Sequence, residues 1–267
     1  MLHKQHGSAR LNVMKKLIPI ILVLFAAGAG AFYLVSSKVD ETVERSTIVD
    51  VSQDSSSSQN TSITEVEVGP LAHSLDEVDS LWLIVNKQRP ISLDYIPKSL
   101  RRVNVQARED KSEAELSMRD DAATALESLF ADALVEDIEL LLGSGYRDSD
   151  LQNTYYTSYI NAYGQAEADK FSAKPGTSEH QTGLVADVAP LSRNCYLEIC
   201  FGDTAEGRWV RENAHKYGFV IRYPEGKESI TGYQFEPWHL RFVGTELATE
   251  LFTDQVTLEE YFDLVSG

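Results

Sequence analysis

Residues 17–35, LIPIILVLFAAGAGAFYLV, run for 19 residues without a charge. A stretch that long and that apolar does not suit the surface of a small water-exposed domain, so it reads as a membrane-crossing helix or the core of a signal peptide. Lys4, Arg10, Lys15 and Lys16 precede it and no acidic residue does. This asymmetry predicts a cytoplasmic N-terminus (1–16) and everything after residue 36 outside the cell membrane. Ala29-Gly30-Ala31 offers a small-residue cleavage pattern, yet the run continues through Val35, long enough to span. The expectation is a single-pass anchor, or a secreted protein if the signal is cleaved. MKKLIPIIL from Met14 is a complete secretion start by itself.

From Ser36 to Ser80 there is no aromatic residue, and the middle reads VSQDSSSSQNTSITEVEVG. A segment so polar and acidic cannot bury enough apolar surface to offset its ordering entropy. It is expected to be a flexible stalk over 36–80, with a folded domain over 81–267. The whole chain carries a net charge of −17, and its four N-terminal basic residues lie on the other side of the membrane, so the outer part is more acidic still. Such a surface repels nucleic acid. Cys195 and Cys200 sit five apart in this outer part. They are either a local disulfide or two buried thiols.

Within 81–267 the pattern predicts α+β with a central antiparallel sheet flanked by helices, and no internal repeat. Residues 119–139 place Ala122, Leu126, Leu129, Phe130, Ala133 and Leu134 on one helical face behind acids in the first turn. LLLGSGYR and LVADVA read as short buried strands. EGRWVRENAHKYG is a helix stopped by Gly218; FVIRYP and YQFEPWHLRFV are strands around a glycine-containing loop. TLEEYFDLV opens on a Thr-x-x-Glu capping box.

The chain has no His-Glu-x-x-His, no Gly-x-Ser-x-Gly, no phosphate-binding loop and no Ser-x-x-Lys. Two clusters remain. His180 and Asp187 flank Gly183, and EPWH places Glu236 three residues before His239. Two imidazoles and a carboxylate make a catalytic zinc set that leaves a fourth position open, and Glu236 is then placed as a base. Taken alone, His-x-x-Gly-x-x-x-Asp is more often a capped turn, and a tryptophan such as Trp238 on an apolar strand is more often core. His3 and His6 fall on the cytoplasmic side, His73 in the stalk and His215 on a mixed-polarity helix, so none is expected to be a ligand. Arg147 is either a surface partner of Asp148 or Asp150, or the edge of a pocket where it holds a carboxylate or a developing oxyanion.

Together these stretches resemble the VanY-type D-alanyl-D-alanine carboxypeptidase family, zinc peptidases of peptidoglycan that include LD-carboxypeptidases. SEHQTGLVAD carries the Ser-x-His-x-x-Gly-x-Ala-x-Asp motif at Ser178, His180, Gly183 and Asp187, with Val185 where the motif has alanine. EPWH carries Glu-x-Trp-His, and SGYRDSDLQ the substrate-side motif at Ser144, Gly145, Tyr146, Arg147 and Gln152. The resemblance spans roughly Leu81 to Gly244 and implies the small α+β zinc fold shared with the hedgehog signalling domain. It implies zinc on His180, Asp187 and His239, Glu236 as base, Arg147 at the substrate or transition state, and Gln152, Ser178, Ser144 and Trp238 around the peptide. The implied activity is removal of C-terminal D-alanine from peptidoglycan stem peptides. Its rivals are an endopeptidase of the same polymer and a non-catalytic wall-peptide binder.

Overall fold

The computed structural model describes residues 72–265. The basic tail, the apolar run and nearly all of the expected stalk lie outside the described residues, and among those described no helix is long and apolar enough to cross a membrane.

The centre is a four-stranded antiparallel sheet in the order β3 (Leu140–Ser144), β4 (Val185–Pro190), β6 (Glu236–Phe242), β5 (Phe219–Tyr223). A two-stranded ribbon, β1 (Leu100–Arg102) with β2 (Ser117–Arg119), leads into helix α1 (Asp120–Val135). β4 and β6 occupy the middle positions and are buried along their whole length. Strands covered on both faces read as unbroken apolar runs; here the exceptions, Asp187, Glu236, His239 and Arg241, are polar groups folded into the interior. Trp238, Leu240 and Phe242 join Leu126, Leu129 and Phe130 of α1 and Val188 of β4 in the main core. After the short α5 (Glu228–Thr231), helices α6 (Thr245–Asp254) and α7 (Leu258–Tyr261) enclose a second cluster of Ile84, Val243, Leu247, Leu251 and Leu258. The capping box before α7 forms between Thr257 and Glu260.

Several expectations are corrected. α1 ends at Val135, short of residue 139, and Leu134 is 61% exposed although its spacing placed it on the buried face. Residues 149–171, unassigned from the sequence, form α2 (Ser149–Tyr163) and α3 (Gln165–Phe171). Strand β6 starts at Glu236, three residues after Tyr233. The helix expected up to Gly218 is α4 (Ala205–Asn213) followed by a tighter 3₁₀ turn, 214–217, and Gly218 ends it at φ +82°. Ordered packing begins before Leu81: Leu75 lies against the second cluster and the His73 ring lies 5.1 Å from that of Trp82. Cys195 and Cys200 are joined as a disulfide.

Candidate active site

Two antiparallel neighbours deliver two of the three expected donors, because Asp187 on β4 and His239 on β6 are direct register partners. The third, His180, comes from a 3₁₀ turn at Glu179–Thr182. Gly183 closes that turn at φ +69°, where a Cβ would also lie 2.9 Å from Leu100 Cδ2. Both the backbone conformation and the space therefore call for glycine.

One donor atom from each of His180, Asp187 and His239 lies within 4.8 Å of the others, and all three residues are buried. His180 Nδ1 lies 2.6 Å from the Gly145 carbonyl, which keeps the proton on that nitrogen and turns the Nε2 lone pair towards Asp187 Oδ2 at 3.3 Å. His239 Nδ1 stands 3.3 Å from Asp187 Oδ1 and 3.5 Å from Glu236 Oε2. Asp187 Oδ1 is buried with no hydrogen-bond partner. Lone pairs converging on one another need positive charge among them, and nitrogen, nitrogen and carboxylate oxygen are zinc donors. The site residues fit that ion.

Electrostatics agree. Burial disfavours a charge on His239, yet Asp187 and Glu179, with Glu236 adding, outweigh it and push the imidazole up to about 9. Burial holds His180 down, with Arg147 adding to the effect. Burial also pushes Glu236 up to about 8, against the pull of His239. Asp187 stays well below the usual carboxylate range because the two histidines overcome its desolvation. A field that favours a proton on His239 favours a metal cation in the same place.

Glu236 and His239 lie three apart and would face opposite sides of a regular strand. Between the pairs Ile221–Leu240 and Tyr223–Glu236, β6 has three residues where β5 has one, and this bulge brings the carboxylate back to the imidazole. A second irregularity at Gly143 sets Ser144 opposite Asp187, and the Ser144 hydroxyl donates to Asp187 Oδ2 at 2.7 Å. Arg147 follows on the bend after β3. Its Nη1 donates to Gln152 Oε1 at 2.9 Å, and Nη2 reaches Ser144 Oγ at 3.3 Å and Asp187 Oδ2 at 3.5 Å. Arg147 Nε is buried without a partner. Asp148 is occupied as the cap of α2, so Arg147 is a pocket arginine rather than a surface ion pair.

Arg147, His180, Asp187, Glu236 and His239 line one cavity of about 360 Å³, which Ser178, Gln152 and Trp238 also border. Gln152 is committed to Arg147 and to the Ala173 carbonyl, and Ser144 to Asp187, so both hold the site in place. Tyr159 of α2, Tyr223, Tyr233 and Glu179, which no motif marked, complete the wall. His215 is remote from it, its ring stacked on Phe252 at 3.8 Å.

An α+β domain with two imidazoles and a carboxylate converging on one point, a second carboxylate beside them and a guanidinium facing both, is a metallohydrolase by construction. The family model for VanY, D-alanyl-D-alanine carboxypeptidase, matches residues 115–245. The chain belongs to that family. It is 40% identical over 192 residues to YodJ of Bacillus subtilis (strain 168), covering 72% of this chain and 70% of that protein. Among solved structures it resembles the LdcB LD-carboxypeptidase at 41% identity and a TM-score of 0.66, over 71% of this chain and 88% of that one. It also resembles a mutant of the vancomycin-resistance D,D-pentapeptidase VanY in complex with Zn(II), at 30% identity and a TM-score of 0.56, over 70% and 99% of the two chains.

Proposed function

We propose that this protein is a zinc-dependent carboxypeptidase that removes C-terminal D-alanine from peptidoglycan stem peptides. The observation that carries the reading is Arg147. It is the one guanidinium or ammonium group lining the cavity among the described residues, and it stands beside the metal-donor Asp187. An enzyme that cuts the last residue needs a cation for the free carboxylate next to the bond it breaks.

His180 Nε2, Asp187 and His239 Nδ1 would hold the ion. Zinc, when bound, makes water a stronger acid and polarises a carbonyl. Glu236 takes a proton from the attacking water and returns it to the leaving amine of D-alanine. Arg147, stiffened by Gln152 and Ser144, holds the terminal carboxylate so that the scissile carbonyl points at the donors. Ser178 and Trp238 border the peptide.

Residues 17–35 are proposed to tether or export the domain and 36–80 to act largely as spacer, which would set an extracytoplasmic domain against the wall. The test is D-alanine release from a pentapeptide and a tetrapeptide by zinc-loaded protein, followed by mass spectrometry, with Glu236→Gln and a C-terminally amidated peptide as controls. Loss of one alanine, absent from both controls, supports the assignment. Cleavage of the amidated peptide at the same rate would make the protein an endopeptidase.

A further inference from the structure

Behind the donor set lies a buried ionic cluster that the mechanism above does not use. Glu179 Oε1 accepts from Arg222 Nε and from Arg241 Nη1, both at 2.9 Å. Arg222 also donates to Glu259 of α7, with Nη1–Oε2 at 2.8 Å, and Asn86 Nδ2 donates to the same carboxylate at 3.2 Å. Arg241 is further held by the Leu81 and Leu83 carbonyls. Two carboxylates face two guanidiniums, so the cluster is neutral as a unit. Arg222 and Arg241 come from adjacent strands and fix one oxygen of Glu179 rigidly.

The other oxygen is different. Glu179 Oε2 is buried with no hydrogen-bond partner, and so is His239 Nε2. The two lie 3.9 Å apart, longer than a hydrogen bond. Nδ1 on the opposite edge of that ring looks at Asp187 and Glu236.

We infer that Glu179 is the positioning residue of His239: its free oxygen accepts the Nε2 proton, so that the Nδ1 lone pair is left for the metal. The inference rests on the metal-site reading given above. It is specific because the oxygen at Oε1 is already required by two donors. A glutamine at 179 must also keep its carbonyl towards Arg222 and Arg241, since guanidiniums only donate. Its amide N–H₂ would then face His239 Nε2, make that nitrogen the acceptor, and move the proton to Nδ1, where it blocks the metal. The near-isosteric change reverses the imidazole rather than merely loosening it.

The test measures zinc affinity by chelator competition on the full chain as parent, Glu179→Gln and Glu259→Gln, with circular dichroism and thermal unfolding of each. Glu259→Gln removes the same charge from the same cluster on the side away from His239. The expected result is a folded Glu179→Gln protein that binds zinc about tenfold to a hundredfold more weakly than the parent, the range for removing an outer partner of a ligating histidine, with Glu259→Gln within about twofold of the parent. Zinc binding by Glu179→Gln within twofold of the parent overturns the inference, and so does an equal loss in Glu259→Gln, which would make the effect one of cluster charge. If Glu179→Gln does not fold, a crystal structure of the zinc-loaded parent decides: a Glu179 Oε2 to His239 Nε2 distance under about 3.2 Å supports the role, and a gap as wide as the present one overturns it. A parent that binds no zinc would instead overturn the metal-site reading itself.

Discussion

Zinc affinity should depend on pH far more steeply than ordinary histidine ligands would make it. The perturbation is pH alone, from 8 down to 6. In the metal-free protein the Asp187 and Glu179 carboxylates outweigh burial and raise His239 to about 9. The ion must displace that proton from the ring before Nδ1 can ligate. The raised value means the proton is bound through most of the neutral range, so affinity falls as pH falls. For one competing proton the apparent affinity scales as 1/(1 + 10^(pKa − pH)). With a pKa of about 9 the ratio between pH 8 and pH 6 is about 90, whereas an unperturbed histidine near 6.5 gives only about 4. Glu236, raised to about 8 by burial, adds to the ratio if the ion expels its proton as well. A second expelled proton makes the dependence steeper still. The assay is competition against a chromophoric chelator whose own protonation is corrected at each pH. A ratio of 10 or less would refute the reasoning, because it would mean that the acidic surroundings of His239 do not hold a proton there.

Other outcomes follow from the same geometry. Glu236→Gln should lower kcat by about 10²–10⁴ and leave the zinc content unchanged, since Glu236 is not among the converging donors; both are measured on one preparation, and a lost metal would make Glu236 a ligand. Arg147→Lys replaces a fork held by Gln152 and Ser144 with a point charge, so kcat/KM for a peptide with a free terminus should drop by roughly tenfold to a hundredfold, while the amidated peptide stays as poor a substrate as for the parent. Gly207→Ala in α4, ordinarily a gain in a helix, should destabilise by about 1–3 kcal/mol in urea unfolding, because the added Cβ would sit 1.9 Å from the Phe201 carbonyl oxygen.

The donor set was legible because each motif lies in or beside an apolar run that can only be a buried strand, and a histidine or aspartate buried there must answer to something. What the sequence did not show is where the chain supplies no period. Helix α2 buries only Gln152 and Tyr156, so there is no apolar stripe to count, although it forms one wall of the cavity. Leu134 carried the right spacing, but the helix stops at Val135 and Asp137 turns to φ +59°, leaving the side chain in solvent. Glu179 was invisible for another reason. A glutamate beside a histidine looks like any surface acid until Arg222 and Arg241, more than 40 residues on, arrive from two strands to bury it.

Charge accounts for why this cavity should prefer a free C-terminus although the chain as a whole, at −17, repels anions. The outer cluster of Glu179, Glu259, Arg222 and Arg241 cancels within itself. Inside it, the fully deprotonated site leaves Asp187 and Glu236 outnumbering Arg147 by one negative charge, a surplus that raised basicity at His239 and Glu236 covers with protons in the metal-free protein. A dication that replaces those protons turns the surplus into one positive charge. The partner that restores neutrality is a single carboxylate, which a peptide with a free terminus brings and an amidated peptide does not. Field lines from that charge run through low-dielectric walls of Trp238, Tyr159 and Tyr223, where screening by water is weak. Selectivity for the last residue of a peptide is thus a consequence of the same balance that favours the metal, and the two should be lost together when His239 loses its orientation.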